Sequence, residues 1–284
     1  MIPGGILGPV GGLEQVFFTA KEPEARASRY RERQALSGEG YTQVLPRRAR
    51  VWSCEIPHDA PQEGYVIDSL EALSADQRET LVWYPAAALG TNMLDPAASL
   101  MDLRHWDNMS RGGARVVPGG NLPGLRFHRS GTTGEDGPWS HLSNIPVPGT
   151  LNDRPVTLTA SIRLTAYQGE EAFFYLDELG MDNQTLTVHK AQTTGVLERL
   201  SFTFQPRADT VAVTFGVWGA SAVVAPQLTM TDRVTPWGVG RGCLSCVVEV
   251  TERDPLWTAT GQHIYEAADA TRFTIRERVR MRNY

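Results

Sequence analysis

Lysine is nearly missing from this sequence. Of 27 basic residues only Lys21 and Lys190 are lysines, and the remaining 25 are arginines. The net charge of −5 offers no basic surplus for a phosphate backbone, so nucleic acid is not an expected partner. Cysteine is scarce as well. Cys54, Cys243 and Cys246 are the three thiols in 284 residues, which excludes a disulfide-stapled scaffold.

Two of these thiols form a C-x-x-C in "GCLSCVVEVTERD" (242–254). A structural zinc site needs four cysteine or histidine ligands, usually in two close pairs. His58, His105, His128, His141, His189 and His263 are scattered, and no two have ligand-pair spacing. A redox C-x-x-C opens a helix, but the residues that follow here are β-branched and strand-forming. The pair reads as two reduced thiols at the start of a strand. Oxygen ligands suited to calcium gather at Asp177, Glu178, Asp182 and Asn183, and a solvated acidic turn accounts for them equally. Neither a metal nor a cofactor is expected.

Long apolar runs are missing too. The longest uncharged stretch, 210–231, contains Gly216, Gly219 and Pro226 and alternates at Val211, Val213, Phe215 and Val217. That is strand texture, not a membrane helix, and no membrane partner is expected. The opening "MIPGGILGPVGGLEQVFF" has no basic start and is broken by glycine and proline, so no secretory leader is expected there. Signs of catalysis are equally sparse. Neighbouring carboxylates in "GEEAF" (169–173) face opposite ways on a strand and cannot flank one glycosidic bond. "GASA" (219–222) and "RASRY" (26–30) are not nucleophile elbows, and "GVGRG" (238–242) is too short for a phosphate loop. No enzyme activity is expected.

Strands are what the sequence has in plenty. "RARVWSCEIP" (48–57) places Val51 and Ser53 on one face and Trp52, Cys54 and Ile56 on the other. In "EGYVIDSLEALSADQRE" (63–79), Ile67, Leu70 and Leu73 fall at helical spacing, and "TLVWYP" (80–85) is strand-like again. Residues 91–140 are rich in turn formers. Six strands then follow at regular intervals: 155–167, 171–179, 184–192, 196–206, 210–219 and 223–232. That spacing indicates an antiparallel sandwich. Strands at 242–253 and 270–284 close the chain and are free to complete the first domain, leaving the sandwich as an insertion. Residues 21–36, "KEPEARASRYRERQAL", are charged, helix-compatible and weakly amphipathic, and read as a solvated arm or a segment lying on a neighbour. The expected fold is mainly β: a split β-rich core domain with one short helix, plus an inserted antiparallel sandwich. Its expected parts are an N-terminal arm (1–47), the core domain's first part (48–92), the sandwich (93–235) and the closing strands (236–284).

Three stretches in this order resemble the minor tail proteins of siphophages, the long non-contractile tailed phages. "RARVWSCEIPHDAPQEGYVIDSLEAL" with "LVWYPAAALGTNML" is similar to the opening of their core domain. Residues 92–232, with a "PVTLTASIRLTAY" strand and an "LTMTD" ending, resemble their carbohydrate-binding-module-like jelly roll. "CVVEVTERDPLWTATGQHIYEAADATRFTIRERV" resembles the closing hairpin of that domain and of distal tail proteins. Distal tail proteins usually carry an extra module at the C-terminus, whereas here it is inserted. The resemblance implies a structural component of a phage tail tip, located in the virion. Its implied partners are copies of itself in a homo-oligomeric ring, other phage tail proteins, and host cell-surface polysaccharide. Both a ring-forming distal tail protein and a peripheral tail-tip protein fit. The rival readings are a stand-alone carbohydrate-binding protein and a glycan hydrolase.

Two sets of candidate residues follow. A sugar platform needs exposed rings with polar neighbours. Trp139, in "EDGPWSH", and Tyr175 and Trp218, on strands, are the carbohydrate-binding candidates; Tyr167 and Phe173 are further strand aromatics. In "RFTIRERVRMRNY" (272–284), Phe273, Ile275, Val279 and Met281 share one face, interrupted only by Glu277. Arg276, Arg278, Arg280 and Arg282 share the other and are the inter-subunit interface candidates, since arginine suits planar carboxylate recognition.

Overall fold

A computed structural model of the chain describes residues 4–16, 18–21, 30–34, 40–44, 49–57, 71–72, 80–101, 105–109, 115–118, 124–128, 139–252 and 270–278. It is mainly β, and every described strand pairing is antiparallel. The chain opens with β1 (Gly5–Pro9), β2 (Glu14–Val16), β3 (Thr19–Lys21), β4 (Tyr30–Gln34), β5 (Gly40–Val44), β6 (Val51–Pro57) and β7 (Leu81–Pro85). After short helices at Ala86–Thr91 and Pro96–Ser99 come β8 (Asp107–Met109), β9 (Arg115–Pro118), β10 (Gly124–His128), β11 (Trp139–Pro146), β12 (Thr150–Leu151) and β13 (Arg154–Pro155). Then follow β14 (Leu158–Ala166), β15 (Ala172–Leu179), β16 (Thr185–Thr193), β17 (Glu198–Phe204), β18 (Ala212–Trp218) and β19 (Ala220–Thr229). The last two are β20 (Cys243–Glu252) and β21 (Ala270–Glu277). Two compact units result. One comprises Met1–Phe17 with Glu79–Leu244, the other Phe18–Arg78 with Ser245–Tyr284.

The first unit contains the sandwich. Its sheets run β17-β14-β19-β10-β9 and β16-β15-β18-β11-β8. The pairs β15·β16, β14·β17, β11·β18 and β10·β19 nest one inside the next and alternate between the sheets. This is the winding of a jelly roll. Period-two alternation sets the inner faces. Leu158, Ala160, Ile162 and Leu164 of β14 are fully buried in one core with Phe174 and Leu176 of β15 and Phe215 of β18. The Phe174 and Phe215 rings meet edge to face at 5.3 Å. Truncating such a leucine to alanine typically costs about 2–5 kcal/mol.

The opening residues, expected as an arm, belong to this core. β1 pairs with β2 and β7, and Ile6, Leu13, Val82 and Tyr84 share one buried cluster with Leu158, Ile162 and Phe174. The Tyr84 hydroxyl donates to the Pro146 carbonyl at 2.6 Å, and burial lifts its pKa far above the usual phenol range. The units therefore part the chain at 17/18, 78/79 and 244/245, where the sequence reading set boundaries at 47, 92 and 235. The physical reason is that β7, apolar at every position, needs cover on both faces, and the sandwich supplies one of them.

Where the chain enters and leaves the jelly roll, its backbone is clasped. Asn92 is fully buried, and all of its side-chain hydrogen-bonding capacity is used. Its amide donates to the carbonyls of Pro226 and Gly238, and its Oδ1 accepts from the N–H groups of Leu94 and Leu228. Arg241 N and Gly242 N donate to the carbonyls of Asn92 and Leu94. A Cβ at Gly242 would stand 1.9 Å from the Met93 oxygen. Gly240 and Gly242 of "GVGRG" thus serve close backbone approach.

In the second unit the strand order is β20-β21-β6-β3. Trp52, Cys54, Val248, Phe273 and Ile275 are buried; Val51, Ser53, Glu55, Glu249, Arg272 and Arg276 lie outward. β4 and β5 form a separate hairpin pair. Residues 30–34, expected within a charged, helix-compatible arm, are therefore strand. Their charged stretch has no apolar stripe with which a helix would bury itself, and ladder pairing with 40–44 supplies the backbone partners instead. Of the helix expected in 63–79, only residues 71 and 72 are described, and both are helical.

Candidate functional site

Register carries the site. On β15 the inward residues Phe174 and Leu176 leave Phe173, Tyr175 and Asp177 for the outer face of the second sheet. Across β18 these pair with Trp218, Gly216 and Thr214. On β11, Trp139 stands opposite Trp218 and His141 opposite Gly216. On β16, Gln192, Lys190 and Val188 stand opposite Phe173, Tyr175 and Asp177. The three carbohydrate-binding candidates, Trp139, Tyr175 and Trp218, hence occupy neighbouring register positions of one sheet. The Trp139 side chain lies outside the described residues; Tyr175 and Trp218 are both partly exposed.

The aromatic rings form a connected group. Phe173 lies 5.3 Å from Trp218 and 6.1 Å from Tyr175, stacked at 29° with the latter. Lys190 holds its ammonium 4.2 Å above the Phe173 ring centre and 5.5 Å from that of Tyr175. Gly216, between His141 and Tyr175 in register, has no side chain and is itself buried, as is Phe173 at 8% exposure. The partly exposed rings of Tyr175 and Trp218 are what this face offers to a ligand, with the polar side chains of His141 and Thr214 in neighbouring register positions. Asp177 is half-buried, and burial raises its carboxyl pKa against the lowering influence of His189.

Phe173 is reached by the sequence reading only as a strand aromatic, and Lys190, His141 and Gly216 are missed. They become visible once β15, β18 and β16 are set in register, because each stands opposite a ring or beside one.

Over β14 and β19 the outer face of the first sheet is covered instead. There Arg199 donates to Ser161, to Gln227 and to the Thr235 carbonyl, and Gln227 donates to Thr91, Thr235 and Pro236. Thr159 donates to the Thr231 carbonyl. The segment 231–237 so covers residues that alternation alone would send to solvent, and Thr159, Ser161, Gln227 and Thr229 are all buried. Burial lowers the Arg199 pKa, and neighbouring Arg163 adds to this.

The suggested calcium ligands are not drawn together. Asp177 and Glu178 face opposite sides of β15. Glu178 is buried, accepting from Arg207 N and Thr210 Oγ1 and pairing with His189 Nε2 at 2.8 Å. Cys243 and Cys246 are both buried free thiols on β20, although three residues apart, so both faces of this strand are covered. Burial pushes the Cys54 thiol up to about 12. Among the described residues no three His, Cys, Asp or Glu side chains are grouped for a metal ion.

In the second unit the arginine stripe is partly engaged within the chain. Arg276 pairs with Glu249 at 3.1 Å, and the Arg278 N–H donates to the Ser245 carbonyl. Arg280 and Arg282 lie outside the described residues. Glu277, which breaks the apolar face of β21, is met by Arg50. A shallow cleft of about 520 Å³ on this unit is lined by Lys21, Glu55, Arg272 and Thr274, with Arg272 and Glu55 3.6 Å apart.

No protein-family model and no curated protein matches this chain. Among solved structures it is similar to the enzymatically active domain of tailspike protein 4 of bacteriophage CBA120 (8% identity, 49% of this chain and 21% of that chain, TM-score 0.39). It is also similar to the family 11 carbohydrate-binding module of the cellulase Lic26A-Cel5E of Clostridium thermocellum (14% identity, 52% of this chain and 99% of that chain, TM-score 0.32). A third is a carbohydrate-binding module structure from the β-sandwich superfamily (8% identity, 79% of this chain and 84% of that chain, TM-score 0.32). The chain thus spans only 21% of the tailspike chain's length.

Proposed function

We propose that this chain is a structural component of a phage tail tip that displays a glycan-binding jelly roll. The observation that supports it best is the open outer face of the second sheet. Tyr175 and Trp218 present partly exposed rings there, backed by the buried Phe173, while 231–237 covers Thr159, Arg199 and Gln227 on the first sheet. Aromatic faces bind the apolar side of a sugar ring, and His141 and Thr214 offer polar partners at the edges. In this reading the second unit and its arginine-bearing strand join copies of the chain to one another and to other tail proteins, the location is the virion, and no bond of the glycan is broken.

Affinity electrophoresis of the purified protein through gels cast with host cell-surface polysaccharides tests the binding role. The wild type is retarded by at least one, and Trp218→Ala and Tyr175→Ala migrate freely with unchanged melting temperatures. Unretarded wild-type protein throughout would sink it. A second reading, a stand-alone carbohydrate-binding protein, keeps the same face without the assembly. Electron microscopy separates them: a symmetric oligomer belongs to the tail-tip reading, a glycan-binding monomer to its rival.

A further inference from the structure

Lys190 stands over the rings of this face, and no carboxylate or hydrogen-bond acceptor meets its ammonium among the described residues. Its register partner is Tyr175, yet the nitrogen leans toward Phe173, 4.2 Å from that ring centre against 5.5 Å for Tyr175. The charge therefore sits over the Phe173–Trp218 end of the platform, away from Asp177. The other carboxylate at that end, Glu171, accepts from Gln192 at 3.2 Å.

The residue type matters. A guanidinium would stack flat on Phe173 and cover it. An ammonium on a four-carbon stem is a point charge that swings off the ring at little cost, because an exposed cation–π contact is weak. A carboxylate offers it a charge-assisted hydrogen bond, which is the stronger contact. Lifting Lys190 also uncovers Phe173 for stacking, so engaging an anion and opening the platform are one movement.

We infer that the ligand of this face is an acidic saccharide, with its carboxylate on Lys190 and its ring over Tyr175 and Trp218. The inference rests on the glycan-binding reading and adds the class of sugar. A uronic acid carries its carboxylate as an exocyclic group at the edge of the pyranose ring, so a sugar stacked on Tyr175 and Trp218 presents it sideways, toward β16. Asp177, at the opposite end of the same strand, repels the reverse orientation and fixes the direction of the chain.

The test is a glycan array of matched pairs, each uronic-acid oligosaccharide printed beside its methyl ester. Wild-type protein binds acidic members about tenfold more strongly than their esters, the weight of one charge-assisted hydrogen bond. Lys190→Met removes that preference while keeping the apolar stem, and Lys190→Arg restores part of it. The preference falls as salt is raised. Equal binding of acids and esters, or an undiminished preference in Lys190→Met, overturns the inference and leaves glycan binding intact. Binding to no member overturns the inference, and the gel retardation described above then decides the glycan-binding reading on its own. Trp218→Ala serves as the control that loses acids and esters alike.

Discussion

Arg50 closes over Glu277 with two parallel hydrogen bonds, Nε to Oε2 at 3.0 Å and Nη2 to Oε1 at 2.9 Å, and its own backbone N–H adds a third to Oε2. Both side chains are mostly shielded, at 17% and 10% exposure. The Arg50 guanidinium also lies 4.9 Å from the ring centre of Trp52. A carboxylate on an apolar strand face is thus neutralised by a residue 227 positions away. Removing one partner strands the other charge. Arg50→Met lowers unfolding stability by about 3 kcal/mol, and Arg50→Met with Glu277→Met recovers most of the loss. Urea denaturation midpoints of the single and double variants check this, and an additive double variant refutes it.

Asn92 holds four backbone groups from three segments, and it has no solvent to fall back on. Asn92→Ala leaves the carbonyls of Pro226 and Gly238 and the N–H groups of Leu94 and Leu228 short of partners, and costs about 2–4 kcal/mol. Asn92→Asp keeps the acceptor but turns its other oxygen on the Pro226 and Gly238 carbonyls in a site with no solvent for its charge, so it costs at least as much as alanine. Gly242→Ala drives a methyl group into the Met93 carbonyl and is at least as damaging. Thermal melts of the three variants order them, and an unchanged midpoint for Gly242→Ala would count against the clasp.

The thiols report on the interior. Cys54, Cys243 and Cys246 are buried, so a thiol reagent at pH 8 labels none of them within minutes in native protein and all three in denaturant. Cys54 also links stability to pH. Its folded pKa of about 12 lies above the ordinary 9.0. The fold therefore favours the protonated thiol, and that contribution is complete below pH 9 and is lost as pH rises toward 12. Cys54→Ser removes its share of the alkaline limb, seen as a flatter stability profile between those values, while the buried Tyr84 still contributes the rest. Rapid labelling in native buffer would disprove the burial.

Arg278 and Arg280 carry the assembly reading. Changing both to glutamine weakens oligomer or tail assembly and moves the melting temperature little, because Arg276, left in place, still pairs with Glu249. Sedimentation and negative-stain microscopy read the first effect, calorimetry the second. Normal assembly in the double variant argues against an interface there.

Much of this was legible in the residues. Strict alternation at Leu158, Ala160, Ile162 and Leu164 marks an inner sheet face, and β14 to β19 fall where turn spacing puts them, within a few residues. Trp218 stands out as a ring amid small neighbours, and Tyr175 as the polar end of the aromatic run Phe173–Tyr175. What stayed hidden depends on pairing partners far apart in sequence. Glycines in "GILGP" hide a buried strand, because close packing is what requires them: a Cβ on Gly5 would lie 2.1 Å from the Tyr84 oxygen, and one on Gly8 2.2 Å from the Gly12 oxygen. Lys190 is an ordinary exposed lysine until register sets it beside Phe173. Arg199 and Gln227 look solvated until 231–237 folds over them.

The covering segment 231–237 bears on the proposed glycan role. A sandwich open on both faces could crosslink two strands of polysaccharide, whereas one that binds through the Tyr175–Trp218 face would engage a single strand per copy. Strength of attachment would then depend on how many copies act together, since tethering sites at matching spacing firms a weak contact by about 10²–10⁴-fold. A weak single site also stays reversible, so the proposed assembly could step along a surface by releasing one grip at a time.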